Sequence, residues 1–215
     1  MLIRNLFDNI LEIVFPKRCF YCNKVGEIIC DSCMKKIQNS YMFKKVNNDY
    51  FDYVYCSTYY KGNIKTQIHN FKFHEKAYLY QYFVEMALRE KEISDFLKAF
   101  DIITYVPMYV TKEQKRGYNQ AKLLANELGK KLNIKVIDCL EKKIENKTQS
   151  SLSEQERLTN VQDVFDFVKN RNISGKNIIL VDDILTTGAT VKNCSKILKE
   201  NNAGKICIFA ISKTK

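Results

Sequence analysis

The sequence predicts an α/β protein: a parallel sheet flanked by helices, preceded by a small cysteine-rich module. Three observations predict it. From about residue 99 onward, short apolar strand-like runs alternate with amphipathic helical runs, the pattern of βαβ units that yields a parallel sheet covered on both faces. Four of the eight cysteines fall within residues 1–45, in two closely spaced pairs. A hydrophobic content of 46% over 215 residues is ordinary for a globular chain and supplies one substantial core.

The elements follow in order. In the first fifteen residues Ile3, Leu6, Phe7, Ile10 and Val14 fall at helical spacing, which predicts an amphipathic helix. Residues 1–45 therefore hold this helix and the cysteine module. Residues 46–97 form an aromatic-rich linking region, with a strand or hairpin around 53–60 and a helix around 78–91. Residues 98–215 form the main α/β domain. Within it, 101–106 (DIITYV) reads as a strand stopped by Pro107, and 119–132 as a helix with Leu123, Leu124 and Leu128 on one side. Residues 134–140 and 177–181 are further strands, 190–200 is a helix, and 203–212 is the last strand. The polar segment 146–160 reads as a loop, within which Ser151 and Glu154 can form a capping box for a short helix.

Charge and targeting signals narrow the class. The balance of 35 Lys and Arg against 24 Asp and Glu, a net charge of +11, favours polyanionic ligands, although Lys-rich genomes produce basic proteins with no such partner. Asp8 and Glu12 interrupt the apolar N-terminus, no small-residue cleavage site follows, and no run approaches the roughly 18 apolar residues of a membrane span. These features predict a cytoplasmic protein whose N-terminal helix packs on its own domain, with peripheral membrane association as the minority alternative.

Disulfides are rare in that compartment, so the clustering of the cysteines decides what they do. Cys19-Phe-Tyr-Cys22 and Cys30-Asp-Ser-Cys33 are two C-x-x-C pairs separated by seven residues. Two such turns facing one another supply a closed tetrahedral set for a structural Zn²⁺, with a redox pair as the rival reading. Cys56, Cys139, Cys194 and Cys207 are isolated in apolar surroundings and read as buried, inert thiols.

The densest signal is IILVDDILTTGAT at 178–190. An apolar strand ending in Asp182 and Asp183 would bring both carboxylates out at the carboxyl edge of a parallel sheet, where ligands gather. Thr186, Thr187, Gly188, Ala189 and Thr190 then turn into a helix, offering backbone N–H groups, hydroxyls and a helix N-terminus to a phosphate dianion. The acids cannot favour that same phosphate; they suit sugar hydroxyls and the Mg²⁺ that accompanies a polyphosphate. A P-loop ATPase would also carry an acidic strand end, but no G-x-x-x-x-G-K-S/T occurs in the chain.

This run resembles the signature of type I phosphoribosyltransferases, which bind 5-phosphoribosyl-1-pyrophosphate. The resemblance implies that the Thr-rich loop holds the 5′-phosphate and that the acidic pair sits by the ribose. The four-cysteine module, Lys72 in Asn70-Phe71-Lys72-Phe73, and Lys115-Arg116-Gly117-Tyr118-Asn119-Gln120-Ala121 after Val106-Pro107 are similar to the ComF competence family. Thr148-Gln149, Arg157, Asn160-Val161 and Phe165 extend that resemblance almost end to end. The chain departs from it at Asp163-Val164, where relatives commonly carry Gly-Ala.

The family pattern puts a pyrophosphate loop at Val106, Pro107 and Met108, and Arg116 is the first choice for a pyrophosphate contact because its planar fork suits phosphate oxygens. A solvated Arg in a Lys-rich loop is the alternative. Residues 146–160 sit where the family carries a flexible lid, so Arg157 either closes over the pyrophosphate or pairs with Glu154 or Glu156. Lys72 either reaches the site from the hood region or lies on the surface. The resemblance implies a protein of natural transformation that handles single-stranded DNA together with the DNA-uptake machinery; 13 Phe and 13 Tyr allow base stacking. The alternative is an enzyme of nucleotide salvage that transfers ribose 5-phosphate to a nucleobase or another acceptor.

Overall fold

A computed structural model describes residues 18–19, 21–27, 29–38, 41–73, 76–144 and 164–214. The N-terminal helix expected over the first fifteen residues, the loop 146–160 with its capping box, and Arg157 lie outside the described residues. In chain order the elements are α1 (Asp31–Gln38), β1 (Met42–Lys45), β2 (Tyr53–Tyr59), α2 (Gly62–Phe73), α3 (Leu79–Ala87), α4 (Lys91–Leu97), β3 (Ile102–Tyr105), α5 (Val110–Arg116) and α6 (Gln120–Leu132). They continue through β4 (Lys135–Val136), β5 (Leu140–Lys142), β6 (Phe165–Phe167), β7 (Ile178–Leu185), α7 (Ala189–Glu200) and β8 (Ile206–Lys213).

Six strands form one sheet in the order β1-β2-β8-β7-β3-β4. All neighbouring pairs are parallel except β1 with β2, an antiparallel edge hairpin. The predicted α/β class is thus the observed one. The sheet also crosses the change in composition near residue 98, because Tyr53 to Tyr59 pair with Cys207 to Lys213.

Strand alternation divides the core into two layers. Ile103, Ile179, Val181, Cys207 and Phe209 face α2, α3, α4 and α6, whose Ile68, Phe71, Phe83, Leu97, Leu124 and Leu128 fill the first layer. Ile102, Ile178, Leu180, Ile206 and Ile208 face α7 through Val191, Cys194 and Leu198. The helix joining β3 to β4 and the helix joining β7 to β8 therefore cover opposite faces. Because β4 lies beyond β3 and β8 lies on the other side of β7, the connections diverge between β3 and β7. That divergence opens a crevice at the carboxyl ends of the two strands, the usual ligand position in such sheets.

Several expectations need correction. The strand expected at 134–140 shrinks to Lys135–Val136. Asn133, in the left-handed region at φ 57°, ends α6, and the Cys139 N–H turns to the Thr104 hydroxyl at 3.4 Å instead of a ladder carbonyl. Leu140–Lys142 then starts a separate two-stranded sheet with Phe165–Phe167. The helix expected at 78–91 spans Leu79–Ala87, and a separate helix, α4, begins at Lys91 after Glu90, whose backbone is extended. Helices α1, α2 and α5, and α4 beyond Lys91, lie where the sequence reading assigned none.

Candidate functional site

The strand expected to stop at Val181 runs on to Leu185, so Asp182 and Asp183 lie within β7 and not beyond it. Pairing with β3 ends at Tyr105 and Val181, whereas pairing with β8 continues to Leu185 and Lys213. Beyond Val181 the β3 side of β7 is thus unpaired, and the half-buried acidic pair lies there, at the crevice. Side-chain alternation also reverses across the pair: Ile179 and Val181 pack in the first layer, and then Ile184 does so, while Leu185 packs in the second. The strand turns over at the two acids.

Their environments differ accordingly. Asp183 receives Lys72 of α2, with Nζ 2.8 Å from Oδ2 and 2.9 Å from Oδ1. Asp182 accepts the Asp183 N–H at 2.8 Å, and its charge acts on the Cys56 and Cys194 thiols of the second layer. Burial, and then the neighbouring Asp183 charge, raise the Asp182 carboxyl to about 7; the Asp183 N–H and Lys72 pull the other way. One carboxylate is therefore paired with an ammonium, and the other is pushed above the usual carboxylate range by burial and by its neighbour.

Downstream, Thr186, Thr187, Ala189 and Thr190 are exposed and Gly188 is half-buried. Gly188 caps α7 in the left-handed region at φ 83°, a conformation that side chains disfavour. The Thr187 hydroxyl accepts the Ala189 N–H at 3.4 Å. The first N–H groups of a helix have no intrahelical partner, so the turn presents donors and hydroxyls at one end of the acidic pair.

At the other side lies the half-buried loop of Val106, Pro107 and Met108, between β3 and α5. The Val106 N–H donates to Val181 at 2.9 Å, which fixes the loop to the strand just before Asp182. Asn119 caps α6 through the Lys122 N–H and also donates its side-chain amide to the Val106 carbonyl at 3.2 Å. Arg116, at the end of α5, donates to the Gln120 side chain at 2.7 Å and stacks over Phe73 at 5.0 Å. A cleft of about 270 Å³ is lined by Lys72, Phe73, Lys112, Lys115 and Arg116: four cations, one ring and no acid. The side chain of Lys72 joins this cleft to Asp183. Tyr118, hydrogen-bonded to the Phe71 carbonyl and stacked on its ring, ties the end of α2 to the same region.

The structure thus brings Asp182, Asp183, Thr186 to Thr190, Val106 to Met108 and Arg116 to one edge of the sheet. Lys72, left open by the sequence, joins them, and Lys112, Lys115, Asn119 and Gln120 are additions. The basic run KEQKRGYNQ after Pro107 was the available signal for those four. What the sequence does not give is the turn of α2 that brings Lys72 across.

The Sγ atoms of Cys19, Cys22, Cys30 and Cys33 all lie within 4.8 Å of one another. Tetrahedral zinc with bonds of about 2.3 Å needs sulfurs about 3.8 Å apart, and those of Cys22 and Cys30 are 3.6 Å apart. The Cys30 N–H donates to the Cys19 sulfur at 3.4 Å. The Ser32 hydroxyl and the Cys33 N–H pull the Cys30 thiol down to about 6, whereas burial pushes Cys33 up. All four are free thiols, and the donor set fits a metal such as zinc. Cys56, Cys139, Cys194 and Cys207 are buried and unpaired by disulfide, as expected. Among the described residues no helix is long and apolar enough to cross a membrane.

The fold is a mostly parallel α/β sheet close to phosphoribosyltransferase folds, with a four-cysteine cluster near its N-terminus. Residues 114–213 match the family model described as phosphoribosyl transferase domain. The chain is a homologue of Competence protein F of Haemophilus influenzae, at 25% identity over 93% of this chain and 98% of that one. It is also a homologue of Competence protein ComFC of Bacillus subtilis, at 29% identity over 72% of this chain and 62% of the relative. DNA utilization protein YhgH of Escherichia coli is 28% identical over 53% of this chain and 50% of its own length. The chain thus spans between half and two thirds of these last two relatives. Among solved structures, adenine phosphoribosyltransferase from Saccharomyces cerevisiae aligns over 86% of this chain and 90% of its own, with 13% identity and a TM-score of 0.44.

Proposed function

We propose that the chain binds phosphoribosyl pyrophosphate with Mg²⁺ in the crevice between β3 and β7, and that it works in the cytoplasm in the uptake of single-stranded DNA during natural transformation. The observation that carries the ligand is the order of chemistries along one edge: N–H donors and hydroxyls at Thr186 to Thr190, two carboxylates at Asp182 and Asp183, then four cations around Arg116. A ligand with a phosphate at one end, a sugar in the middle and a diphosphate at the other matches that order. The competence and DNA-utilization names of the relatives support the setting, as does the net charge of +11.

In this reading the Thr loop and the N-terminus of α7 anchor the 5′-phosphate. Asp182 and Asp183 orient the ribose hydroxyls and face the positive charge that develops on the sugar as the pyrophosphate leaves. Arg116, Lys72, Lys112 and Lys115, with the loop Val106, Pro107 and Met108, take up the charge of the departing group. Arg157, which lies outside the described residues, is proposed as a further cation for that group. Asp182 and Asp183 would hold Mg²⁺, which would supply positive charge to offset that of the diphosphate. A Zn²⁺ on Cys19, Cys22, Cys30 and Cys33 would have no open position, so it is structural.

The test is calorimetric titration with phosphoribosyl pyrophosphate and Mg²⁺, followed by an assay of pyrophosphate release with nucleobases and with single-stranded DNA. Saturable binding that is lost in the double variant Asp182→Asn, Asp183→Asn is expected. Release with an acceptor makes the protein a transferase, and binding without release makes it a ligand-responsive partner of DNA uptake. Binding that survives the double variant rejects the site.

A further inference from the structure

Lys72 serves two places at once. Its ammonium lies within 2.9 Å of both oxygens of Asp183, and the same side chain forms one wall of the cleft of Lys112, Lys115 and Arg116. Neither partner is deeply buried: the side chains of Lys72 and Asp183 are 21% and 14% exposed. The other well-defined cation of the cleft is held differently. Arg116 is fixed by Gln120 at 2.7 Å and by the ring of Phe73, whereas a lysine is a point charge on a flexible stem that can exchange one anion for another.

Charge balance then matters. With Lys72 on Asp183, the carboxylate is satisfied and offers little to a divalent cation, while the cleft lacks part of one of its four charges. A divalent cation on Asp183 would displace the ammonium, because hard dications prefer carboxylate oxygens. The displaced ammonium has the cleft beside it. We propose that Lys72 is an exchangeable counter-ion, holding Asp183 in the ligand-free protein and passing to a diphosphate in the cleft when a divalent cation takes its place on the carboxylate. The inference rests on reading the cleft as a diphosphate site. It makes metal and diphosphate binding reciprocally favourable, since each selects the same position of Lys72.

The experiment separates the two ligands. Mn²⁺ alone is titrated into the full chain and followed by electron paramagnetic resonance; inorganic pyrophosphate alone is titrated with chelator present and followed by calorimetry. Relative to wild type, Lys72→Met is expected to bind Mn²⁺ about fivefold more tightly and metal-free pyrophosphate about fivefold more weakly, the range of a partly exposed ion pair. Lys72→Gln, which keeps a polar end without the charge, should shift both in the same opposed directions. Lys112→Met should weaken pyrophosphate and leave Mn²⁺ where it was. An unchanged Mn²⁺ affinity in both Lys72 variants overturns the proposal, as does a parallel loss of both ligands, which would make Lys72 a structural support. Equal tightening of Mn²⁺ by Lys112→Met also overturns it, because the effect would then be a general field. Wild-type protein that binds no pyrophosphate under any condition removes the diphosphate reading itself.

Discussion

Asp182 and Asp183 are neighbours in sequence with unequal surroundings, and the inequality has a thermodynamic consequence. Asp183 is paired with Lys72, whereas burial and the Asp183 charge lift Asp182 to about 7. A carboxyl raised in the folded state keeps its proton where the unfolded chain has lost it. Stability therefore falls as pH rises from the unfolded value near 4 toward 7, and the penalty is fully present above that. Asp182→Asn removes the penalty. In metal-free buffer the variant should melt at the same temperature as wild type near pH 4 and several degrees above it at pH 8, since the raised carboxyl costs up to about 4 kcal/mol and each 1 kcal/mol moves the melting temperature by about 2–4 °C in a chain of this size. Thermal melts across pH check this, and a variant that is less stable at pH 8 would show that the carboxylate is not strained. At this scale the sequence was explicit about the acids and the Thr loop, because six polar or glycine residues close behind an apolar strand have few structural uses. It was silent on which acid is paired, since that depends on Lys72, 111 positions away.

At the scale of elements, the site depends on β7 outrunning β3 and on α6 being held close to the sheet. Gly129 permits the second. A Cβ there would come within 2.6 Å of a Val136 methyl and 2.7 Å of the Ile134 carbonyl oxygen, and the latter is backbone that cannot swing aside. Gly129→Ala should therefore destabilise by about 1–3 kcal/mol through overpacking, against the roughly 1 kcal/mol that alanine gains in a helix. The net expectation is a fall in melting temperature and weaker pyrophosphate binding, because α6 carries Asn119 and Gln120, which hold Val106 and Arg116. Melting and calorimetry on one preparation read both; a rise in melting temperature would contradict the close approach. The elements legible in sequence were those with a clean period: 101–106, 119–132 and the run from 178. The 134–140 stretch misled because Ile134, Val136, Ile137 and Leu140 are apolar while the backbone between them leaves the ladder at Cys139. Helix α2 was overlooked although its buried Ile64, Ile68 and Phe71 fall at i, i+4 and i+7, because the Gly62-Asn63 pair at its start reads as a turn.

Over the whole molecule, composition suggested a cysteine module set apart from the sheet, but packing joins them. Cys19, Ile29, Cys30, Cys33 and Met34 are buried in the same cluster as Phe71, Phe83, Val181 and Phe209. Asn63 of α2 also donates to the Tyr21 carbonyl between the first two cysteines. An ion that draws the four sulfurs together would thus organise one flank of the main core, and its binding energy would count toward folding of the whole chain. Purified under reducing conditions, the protein should contain about one zinc per chain by the closed four-thiolate reading. A strong chelator, or Cys30→Ser, should then lower a single cooperative melting transition by at least about 5 °C, since ligands that bind only the folded state shift the entire equilibrium. Two transitions, with the later one unmoved by chelator, would mean that the cysteine module melts by itself. Because α2 touches both the cysteine module and Asp183, metal loss should also weaken pyrophosphate binding in the crevice. Zinc-free protein that remains folded and binds pyrophosphate as tightly as before would break that link between the two ends of the molecule.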